Sequence, residues 1–352
     1  MLRSPSLVIV VMLFWFAKVA LSGPADLDAA IDAIAPEVKK WASVCVVTTN
    51  GEGTPEFTWQ QYGETGEATD FWPASTIKLY AAIAALELLE ERGLPLETTA
   101  IFEHREADGP WVVDCARTMR EMLHAVFRRS SNEDYTLLLR LVGIDRINTH
   151  FLIPQRGFPH SALMRGYVLG RPYGYVREEA QRITLRGADG RIERVEHTWS
   201  GRFYAQERGG TIIDARTGNV TSARELAECL RRVIFHEHLP PAERYAISAE
   251  ALAFLRFGGA GLSGLETKEP ASSPLAWKDA ADAVFPAARF FHKCGVISNY
   301  ALDLAFVDDA AETGKRFIVV PVVAAGSASK PESGELLVSR MARVISEWVK
   351  AQ

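Results

Sequence analysis

A serine and a lysine one helical turn apart are the residues of this sequence best spaced for covalent catalysis. They are Ser75 and Lys78, within the segment PASTIKL at residues 73–79. From Ser75 to Leu86, Lys78 is the only charged side chain, so the helix predicted here is apolar on all faces and should be buried. Positions i and i+3 share a helix face, which lets the amine approach the hydroxyl. Because burial disfavours the ammonium form, the amine becomes able to accept a proton from a serine nucleophile.

Ser130 and Asn132 form a second pair of polar side chains with catalytic potential, within the segment SSN. This segment follows an apolar stretch that begins at Thr118, where Glu121 completes a Thr-x-x-Glu capping box. The same segment suits a helix N-terminus, because Ser and Asn are preferred N-cap residues and acidic residues follow. Taken alone, the segment favours capping.

Lys293, Cys294 and Gly295 end the strand-like run ARFFHKCG. Taken alone, they favour an ordinary strand end with a solvated lysine. The three motifs, however, occur in the order Ser-x-x-Lys, Ser-x-Asn and Lys-x-Gly. Three ordered motifs are far more specific than any one of them, so we interpret them as parts of one site.

This motif set resembles that of the serine β-lactamase and penicillin-binding-protein superfamily. The flanking sequences look most like the class A β-lactamase-like branch, in which the Ser-x-Asn motif runs into a Leu-rich helix, as SSNEDYTLLLRLVG does here. A segment such as VTSARELAECLRRVI follows, and then the Lys-x-Gly strand. The resemblance covers most of the chain after the amino terminus, with a gap between about Arg165 and Thr217.

The resemblance implies an acyl-transfer mechanism. Ser75 would attack an activated carbonyl, and Lys78 would take its proton directly or through a water molecule. Ser130, held near Lys293, would return a proton to the leaving nitrogen. The backbone amides of Ser75 and Val296 occupy the matching places for an oxyanion hole.

The resemblance also implies a substrate-binding group formed by Asn132, Lys293, Cys294 and Gly295. Asn132 would position the substrate amide, and Lys293 would supply positive potential for a carboxylate on the substrate. Cys294 stands where relatives usually carry Thr or Ser. A thiol is a weak hydrogen-bond donor, so this substitution weakens the case for carboxylate recognition.

Residues 165–217 depart from the family pattern. Asp189 and Gly190 predict a hairpin turn between two alternating segments, where compact relatives carry a short loop. The Glu-x-x-Leu-Asn string that supplies the deacylating glutamate in class A enzymes is absent. We interpret the glutamates of this region as solvated side chains of the hairpin and its flanks: Glu178, Glu179, Glu193, Glu196 and Glu207.

The order of predicted elements indicates an α+β fold. Strands are expected at residues 43–50 and 56–63, as a hairpin, and again at 288–295, 299–307 and 315–323. Helices are expected around Leu27 to Trp41, through most of Ser75 to Val142, and from about Gly334 to Val349. Strands at both ends of the chain imply one sheet built from distant segments.

The resemblance implies the matching architecture. It is a five-stranded antiparallel sheet flanked by terminal helices, with an inserted all-α lobe and the active site at their junction. The sheet lobe would comprise about 23–70 and 275–352, and the helical lobe about 71–274, with the hairpin-like insertion at about 165–217.

The amino terminus predicts export. Arg3 precedes the apolar run LVIVVMLFWF, and Ala20 and Ser22 offer a cleavage site before Gly23, so residues 1–22 are interpreted as a signal peptide. An uncleaved membrane anchor is the alternative, which Lys18 and the short apolar run disfavour. We therefore expect a secreted or periplasmic protein with no stable membrane insertion after cleavage.

Composition excludes several function classes. The net charge of -5 is mild, and no Lys/Arg block suggests nucleic acid or an anionic membrane surface. Four cysteines are too few for a disulfide scaffold in 352 residues, although an oxidising compartment would allow one or two bridges of unspecified pairing. No metal-ligand spacing occurs, so we expect no metal and no cofactor. The expected partner is a small-molecule β-lactam or a cell-wall peptide, and the expected state is a monomer.

Three functions are compatible with these features. The favoured one is a serine hydrolase that forms an acyl-enzyme, acting on β-lactams. The second is a D,D-peptidase or related amidase or esterase, which the missing glutamate string favours. The third is a non-catalytic binding relative, for which Cys294 is the main reason. The third is disfavoured because five site residues are all present: Ser75, Lys78, Ser130, Asn132 and Lys293.

Overall fold

The computed structural model describes residues 26–63, 71–210, 214–267, 277–327 and 332–352. Within these ranges the strands are β1 (Lys40–Thr49), β2 (Pro55–Tyr62), β3 (Thr99–Arg105), β4 (Val112–Thr118), β5 (Ala180–Arg186), β6 (Ile192–His197), β7 (Arg289–Ile297), β8 (Tyr300–Asp309) and β9 (Lys315–Val323). The α-helices are α1 (Leu27–Asp32), α2 (Lys78–Glu91), α3 (Met119–Arg129), α4 (Asn132–Val142), α5 (Ile144–Arg146), α6 (Tyr204–Glu207), α7 (Ala223–Ile234), α8 (Ala249–Phe257), α9 (Trp277–Asp282) and α10 (Gly334–Ala351). Short 3₁₀ turns cover Ala74–Ile77, Pro154–Arg156, His236–His238 and Pro241–Glu243, and a π-helical turn covers Ile147–Phe151.

The main sheet joins the two ends of the chain, as the sequence predicts. Its five antiparallel strands lie in the order β2-β1-β9-β8-β7. Strand β1 pairs with its hairpin partner β2 on one side and with β9 on the other, from Lys40 opposite Val323 to Val47 opposite Arg316. The expected α+β class with a five-stranded antiparallel sheet is confirmed.

The two faces of this sheet are covered by different helices. The terminal helices α1 and α10 close one face, where Leu27, Val44, Phe317 and Ile345 belong to one buried apolar cluster. Helices α2 and α7 lie in the larger cluster on the other face, with strand residues such as Val320. Burial on both faces explains the nearly continuous apolar runs of β8 and β9.

The expectation of an all-helical inserted lobe is wrong in one respect, because this lobe also contains a four-stranded antiparallel sheet. Its strand order is β4-β3-β5-β6. Residues 99–118, which we expected to be helical, supply β3 and β4. The central strand β3 alternates buried and half-buried residues over only seven positions, a pattern too short to exclude a helix segment by periodicity.

The hairpin predicted within 165–217 is confirmed as β5 and β6. Its turn contains Asp189 and Gly190, and Gly190 has a φ of +86°, which a glycine adopts without strain. Strand β5 pairs with β3 from Thr99 opposite Arg186 to Arg105 opposite Ala180. The insertion therefore extends a sheet that begins earlier in the chain.

The first helix is shorter than predicted. We expected helix from Leu27 to Trp41, but α1 ends at Asp32 and β1 begins at Lys40. Ala35 has a φ of +42°, outside the helical region, and the proline that follows it cannot donate a backbone hydrogen bond. The apolar periodicity continued past a residue that stops the helix.

The predicted signal peptide, residues 1–22, lies outside the described residues. Within the described ranges, no helix combines the length and the apolar character that crossing a bilayer would require. The four cysteines are Cys45, Cys115, Cys229 and Cys294, and all four are free thiols.

A buried ion cluster attaches the second sheet to α4. The Arg140 side chain is fully buried, and it donates to Asp114 Oδ2 on β4 at 2.6 Å and to Gln181 Oε1 on β5 at 2.9 Å. The guanidinium of Arg171 also lies 3.2 Å from Asp114. Because α4 begins at Asn132, this cluster fixes the helix whose first residue is a candidate site residue.

Asp114→Ala should leave the Arg140 guanidinium buried beside an empty position. Breaking a buried pair in this way costs about 3–5 kcal/mol, so the free energy of unfolding in urea should fall by roughly that amount. The control is Glu347→Ala, which removes an exposed partner of Arg343 on α10 and should cost about 0.5 kcal/mol or less. Equal small losses in both variants would show that Asp114 contributes no more than a surface ion pair.

Candidate active site

The candidate nucleophile lies on a tight turn pressed against the edge strand β7. Ser75 belongs to the 3₁₀ turn that leads into α2, and the preceding residue, Ala74, has a φ of +46°. A Cβ atom built on Gly295 would lie 2.9 Å from the Ser75 amide nitrogen and 3.1 Å from the Pro73 carbonyl oxygen. Only glycine leaves room for this approach, which explains the glycine of the Lys-x-Gly motif.

Lys78 is fully buried at the start of α2 and donates to three oxygen atoms. Its Nζ lies 2.5 Å from the Ser130 carbonyl oxygen, 2.7 Å from Asn132 Oδ1 and 3.2 Å from Ser130 Oγ. An ammonium would donate to all three, whereas a neutral amine has two hydrogens and would take the hydroxyl hydrogen of Ser130 on its lone pair. Among the described residues, the Ser75 hydroxyl is not a hydrogen-bond partner of this amine.

The environment of Lys78 favours its neutral form. Burial, followed by the positive charge of Lys293, lowers the pKa of the Lys78 amine to about 6. The rings of Tyr135 and Tyr167 each lie 5.8 Å from Nζ and exclude water on that side. At neutral pH the amine is therefore mostly unprotonated and can accept a proton.

In the Ser-x-Asn segment, one residue caps a helix and the other two contact Lys78. Ser131 is the N-cap of α4, since its side chain accepts from the Asp134 amide at 3.1 Å. Ser130 has a left-handed φ of +54° at the end of α3, and Asn132 is the first residue of α4. The capping interpretation therefore holds for Ser131, while Ser130 and Asn132 both contact Lys78.

Lys293 reaches the same serine from β7. Its side chain is 3% exposed, and Nζ donates to Ser130 Oγ at 2.9 Å and to the Cys294 carbonyl oxygen at 2.9 Å. Burial lowers the pKa of this amine as well. The hydroxyl of Ser130 thus lies between two lysine amines and can pass a proton from one side to the other.

Cys294 and Val296 lie on the other face of β7 from Lys293, because successive side chains of a strand alternate. Both pack against the apolar cluster covered by the terminal helices. The Cys294 thiol also lies within electrostatic range of the Lys293 and Lys78 amines.

The family comparison agrees with this geometry. A model of the beta-lactamase enzyme family matches residues 27–349 of the chain. The chain belongs to this family. It is accordingly a serine hydrolase of the β-lactamase type, acting on amide bonds.

Solved structures share the fold at low sequence identity. A β-lactamase from Sphaerobacter thermophilus DSM 20745 has a TM-score of 0.53 and 16% identity, over 92% of this chain and 96% of that one. A class A β-lactamase from Bacteroides cellulosilyticus DSM 14838 has a TM-score of 0.55 and 13% identity, over 93% and 98%. A PBP-A mutant in an acyl-enzyme complex with penicillin G has a TM-score of 0.53 and 14% identity, over 91% and 94%. No curated protein sequence matches the chain.

Tyr167 is a site residue of this β-lactamase-family chain that the sequence analysis missed. Its hydroxyl donates to the Ala74 carbonyl oxygen at 2.7 Å, and its ring packs 4.9 Å from that of Tyr135. It therefore touches both the strained residue before Ser75 and the surroundings of Lys78. A tyrosine in the gap between recognisable motifs carries no sequence signal of this role.

The glutamates of the insertion lie in ion pairs or on the second sheet, away from the lysines. Among the described residues, no carboxylate accepts a hydrogen bond from Lys78 or Lys293. Glu179 pairs with Arg171, Glu193 with Arg191, Glu207 with Arg202, and Glu178 lies near Arg177, while Glu196 is on β6. The base that would activate a deacylating water is not found among these five residues.

Tyr167→Phe should slow the reaction of Ser75 with penicillin G by about 10-fold, because the turn that holds the nucleophile loses the hydrogen bond at Ala74. The phenyl ring still shields Lys78, so the pH midpoint of the rate should stay near that of the parent. Tyr62→Phe is the matched control, since its hydroxyl bonds Asp32 at the far edge of the main sheet. Parent-like acylation rates in Tyr167→Phe would show that the hydroxyl does not position Ser75.

Proposed function

We propose that this chain is an exported serine hydrolase that opens β-lactams through a covalent acyl-enzyme on Ser75. The observation that carries the proposal is the buried amine of Lys78, with a pKa of about 6, one turn from Ser75 and bonded to Ser130 and Asn132. We also propose that residues 1–22 are a signal peptide, and that residues 23–352 act as one monomeric catalytic domain outside the cytoplasm, with no nucleic-acid partner.

In the acylation step, Ser75 Oγ attacks the carbonyl carbon of the lactam, and the C–N bond breaks after the C–O bond forms. The serine proton passes to the Lys78 amine, directly or through a water molecule. Ser130 Oγ, 3.2 Å from that amine, delivers its proton to the leaving nitrogen and takes in return the proton that Lys78 accepted. The amine and the hydroxyl end the step in the protonation states in which they began.

The groups that surround Lys78 and Ser130 bind the substrate. Asn132 Oδ1 accepts from Lys78, which leaves the Asn132 amide nitrogen free to donate to a substrate carbonyl. Lys293 provides positive potential for a substrate carboxylate. The backbone amides of Ser75 and Val296 form the proposed oxyanion hole, supported by the close approach of Gly295 to the Ser75 nitrogen. Cys294 and Gly295 complete the proposed substrate-binding group, with the Cys294 thiol within electrostatic range of both lysine amines.

Lys78→Met should reduce the rate of acylation by about 100-fold or more, the scale of a positioned general base. In the parent, the rate should rise with pH and level off above about 6, because only the neutral amine accepts the serine proton. Below that pH the rate should fall about 10-fold per pH unit. Stopped-flow acylation between pH 4.5 and 8.5 measures both effects.

Lys350→Met on the exposed side of α10 is the control and should keep the parent rate and pH profile. Circular dichroism establishes that both variants fold. A flat pH profile in the parent, or a parent-like rate in a folded Lys78→Met, would contradict the role of Lys78 as the base.

Formation and hydrolysis of the acyl-enzyme should separate in time. Because no carboxylate among the described residues bonds to the lysine cluster, water attack on the acyl-enzyme lacks a base. Mixing with a chromogenic β-lactam should give a burst of about one equivalent and then slow turnover. Intact mass spectrometry should show the adduct, and peptide mapping should place it on Ser75. Ser75→Ala should show neither burst nor adduct.

Fast steady hydrolysis without a burst would contradict this account of deacylation. Alanine replacement of Glu178 and Glu179 would then show whether a glutamate of the insertion supplies the base. An adduct on Cys294 with Ser75 unmodified would overturn the assignment of the nucleophile itself.

A D,D-peptidase or related amidase or esterase is the second candidate function. The lack, within the described ranges, of a carboxylate bonded to Lys78 favours it, because the side chain that packs beside this amine from the loop after Arg165 is Tyr167. Release of D-alanine from a peptide ending in D-Ala-D-Ala, faster than β-lactam turnover, would favour this function over the first.

A further inference from the structure

A cavity lies at the opposite edge of the main sheet from the lysine cluster, by which we mean Lys78, Lys293, Ser130 and Asn132. Its volume is about 410 Å³, and it opens between β2, the loop that contains Pro159 and the first turns of α7. Strand β2 is one edge of the sheet and β7, which carries Lys293, is the other, with three strands between them. This cavity is therefore separate from the site that holds Ser75.

Two aromatic rings and two guanidinium groups line the cavity in stacked pairs. Phe57 and Trp59 are two residues apart on β2, so their side chains share one face of the strand. The guanidinium carbon of Arg224 lies 3.1 Å from the centroid of the Trp59 ring, and that of Arg231 lies 4.7 Å from the Phe57 ring. The rings hold both arginines in fixed positions.

Most of the charges in the cavity are already paired. Arg231 and Arg232 each donate to Glu228 at 2.7 Å, and Arg231 also donates to Glu243. Glu225 accepts from the amide of His160 at 2.9 Å and from the hydroxyl of Ser161. These carboxylates have little remaining capacity for another donor.

Arg224 is the exception. Its Nη1 lies 3.7 Å from Glu228 Oε2, beyond hydrogen-bonding distance, and this buried nitrogen has no hydrogen-bond acceptor among the described residues. Burial lowers the pKa of the guanidinium, although the Glu228 carboxylate acts in the opposite direction. A buried donor without a partner is unfavourable unless a ligand or water supplies the acceptor.

We propose that this cavity binds a small organic monocarboxylate with an apolar, planar body. The carboxylate accepts hydrogen bonds from the Arg224 guanidinium. Guanidinium and carboxylate groups commonly form two parallel hydrogen bonds of this kind. The apolar body packs against Trp59, Phe57 and Pro159. A dianion such as phosphate fits less well, because the Glu228 carboxylate, 3.7 Å from the same guanidinium, repels each anionic charge of a ligand and so disfavours two charges more than one.

This inference does not depend on the proposed function, since none of the cavity residues belongs to the lysine cluster. The lysine cluster, however, also offers a positive charge to carboxylates through Lys293. The experiment must therefore distinguish binding at Arg224 from binding at Lys293.

The test is calorimetric titration of the whole protein with benzoate, and with benzyl alcohol as the uncharged analogue. Benzoate should bind one site with a Kd of about 1 mM, as expected for a ligand of this size, and benzyl alcohol should bind at least about 10-fold more weakly. Arg224→Gln should weaken benzoate binding by about 10-fold or more, through loss of the charged fork. Arg343→Gln, on the exposed face of α10, is the control and should bind as the parent does.

Acylation of Ser75 in saturating benzoate provides the second measurement. The rate should stay within about 2-fold of the rate without benzoate, because the two sites are separate. If Arg224→Gln does not fold, Arg224→Lys keeps the charge but loses the planar fork and the stacking on Trp59, and should still weaken binding.

Three results would overturn the proposal. They are no benzoate binding by the parent, equal binding of benzoate and benzyl alcohol, and benzoate binding that survives the loss of Arg224. In the third case, competition with β-lactam acylation would place the ligand at Lys293. Failure of the β-lactam reaction itself would leave benzoate binding unaffected, so the two proposals fail separately.

Discussion

The removal of one lysine amine from water organises this site. Lys78 begins a helix whose residues are buried on almost every side, and the desolvated amine is stable there only because oxygen atoms of Ser130 and Asn132 surround it. Burial makes the amine a base at neutral pH, and the same burial requires α4, the Ser-x-Asn segment and two tyrosine rings to lie close to it. The desolvated Lys78 amine thus determines both the packing around the site and the basicity that the proposed chemistry needs.

The sequence was most informative where a single residue conflicted with its surroundings. A charged lysine in an apolar helix, and an Asp-Gly pair between alternating segments, each predicted a structure that the fold contains. Tyr167 conflicts with nothing, because a tyrosine in a loop is unremarkable until the fold brings its hydroxyl to Ala74. The sequence does not predict the second sheet for a related reason: β3 pairs with β5, which is far along the chain, and short strands carry little local signal. The apolar periodicity after α1 continues through Pro36, so it predicts a longer helix than the structure contains.

Two local features determine what each motif residue contacts. One is the alternation of side chains along β7, and the other is the capping of α4 by the middle serine of the Ser-x-Asn segment. In the Ser-x-Asn segment, the middle serine satisfies the backbone of α4, which leaves its two neighbours free for Lys78. In the Lys-x-Gly segment, the strand directs Lys293 toward Ser130 and the Cys294 side chain toward the terminal helices. Cys294 nevertheless influences both lysine amines electrostatically, and its thiol is a weaker hydrogen-bond donor than a hydroxyl group.

The separation of the site's parts along the chain bears on how the protein is made. Asn132 follows Lys78 by 54 residues, and Lys293 follows Ser130 by 163. While the chain is being synthesised, Ser75 and Lys78 emerge long before β7, and β1 has no β9 to pair with. An unfolded Lys78 is hydrated and carries an ordinary lysine pKa of about 10.4, so its serine is unreactive. Under the proposed mechanism, completion of the chain therefore acts as the activating event, and a nascent or truncated product that lacks the last strands would carry Ser75 without its proposed reactivity.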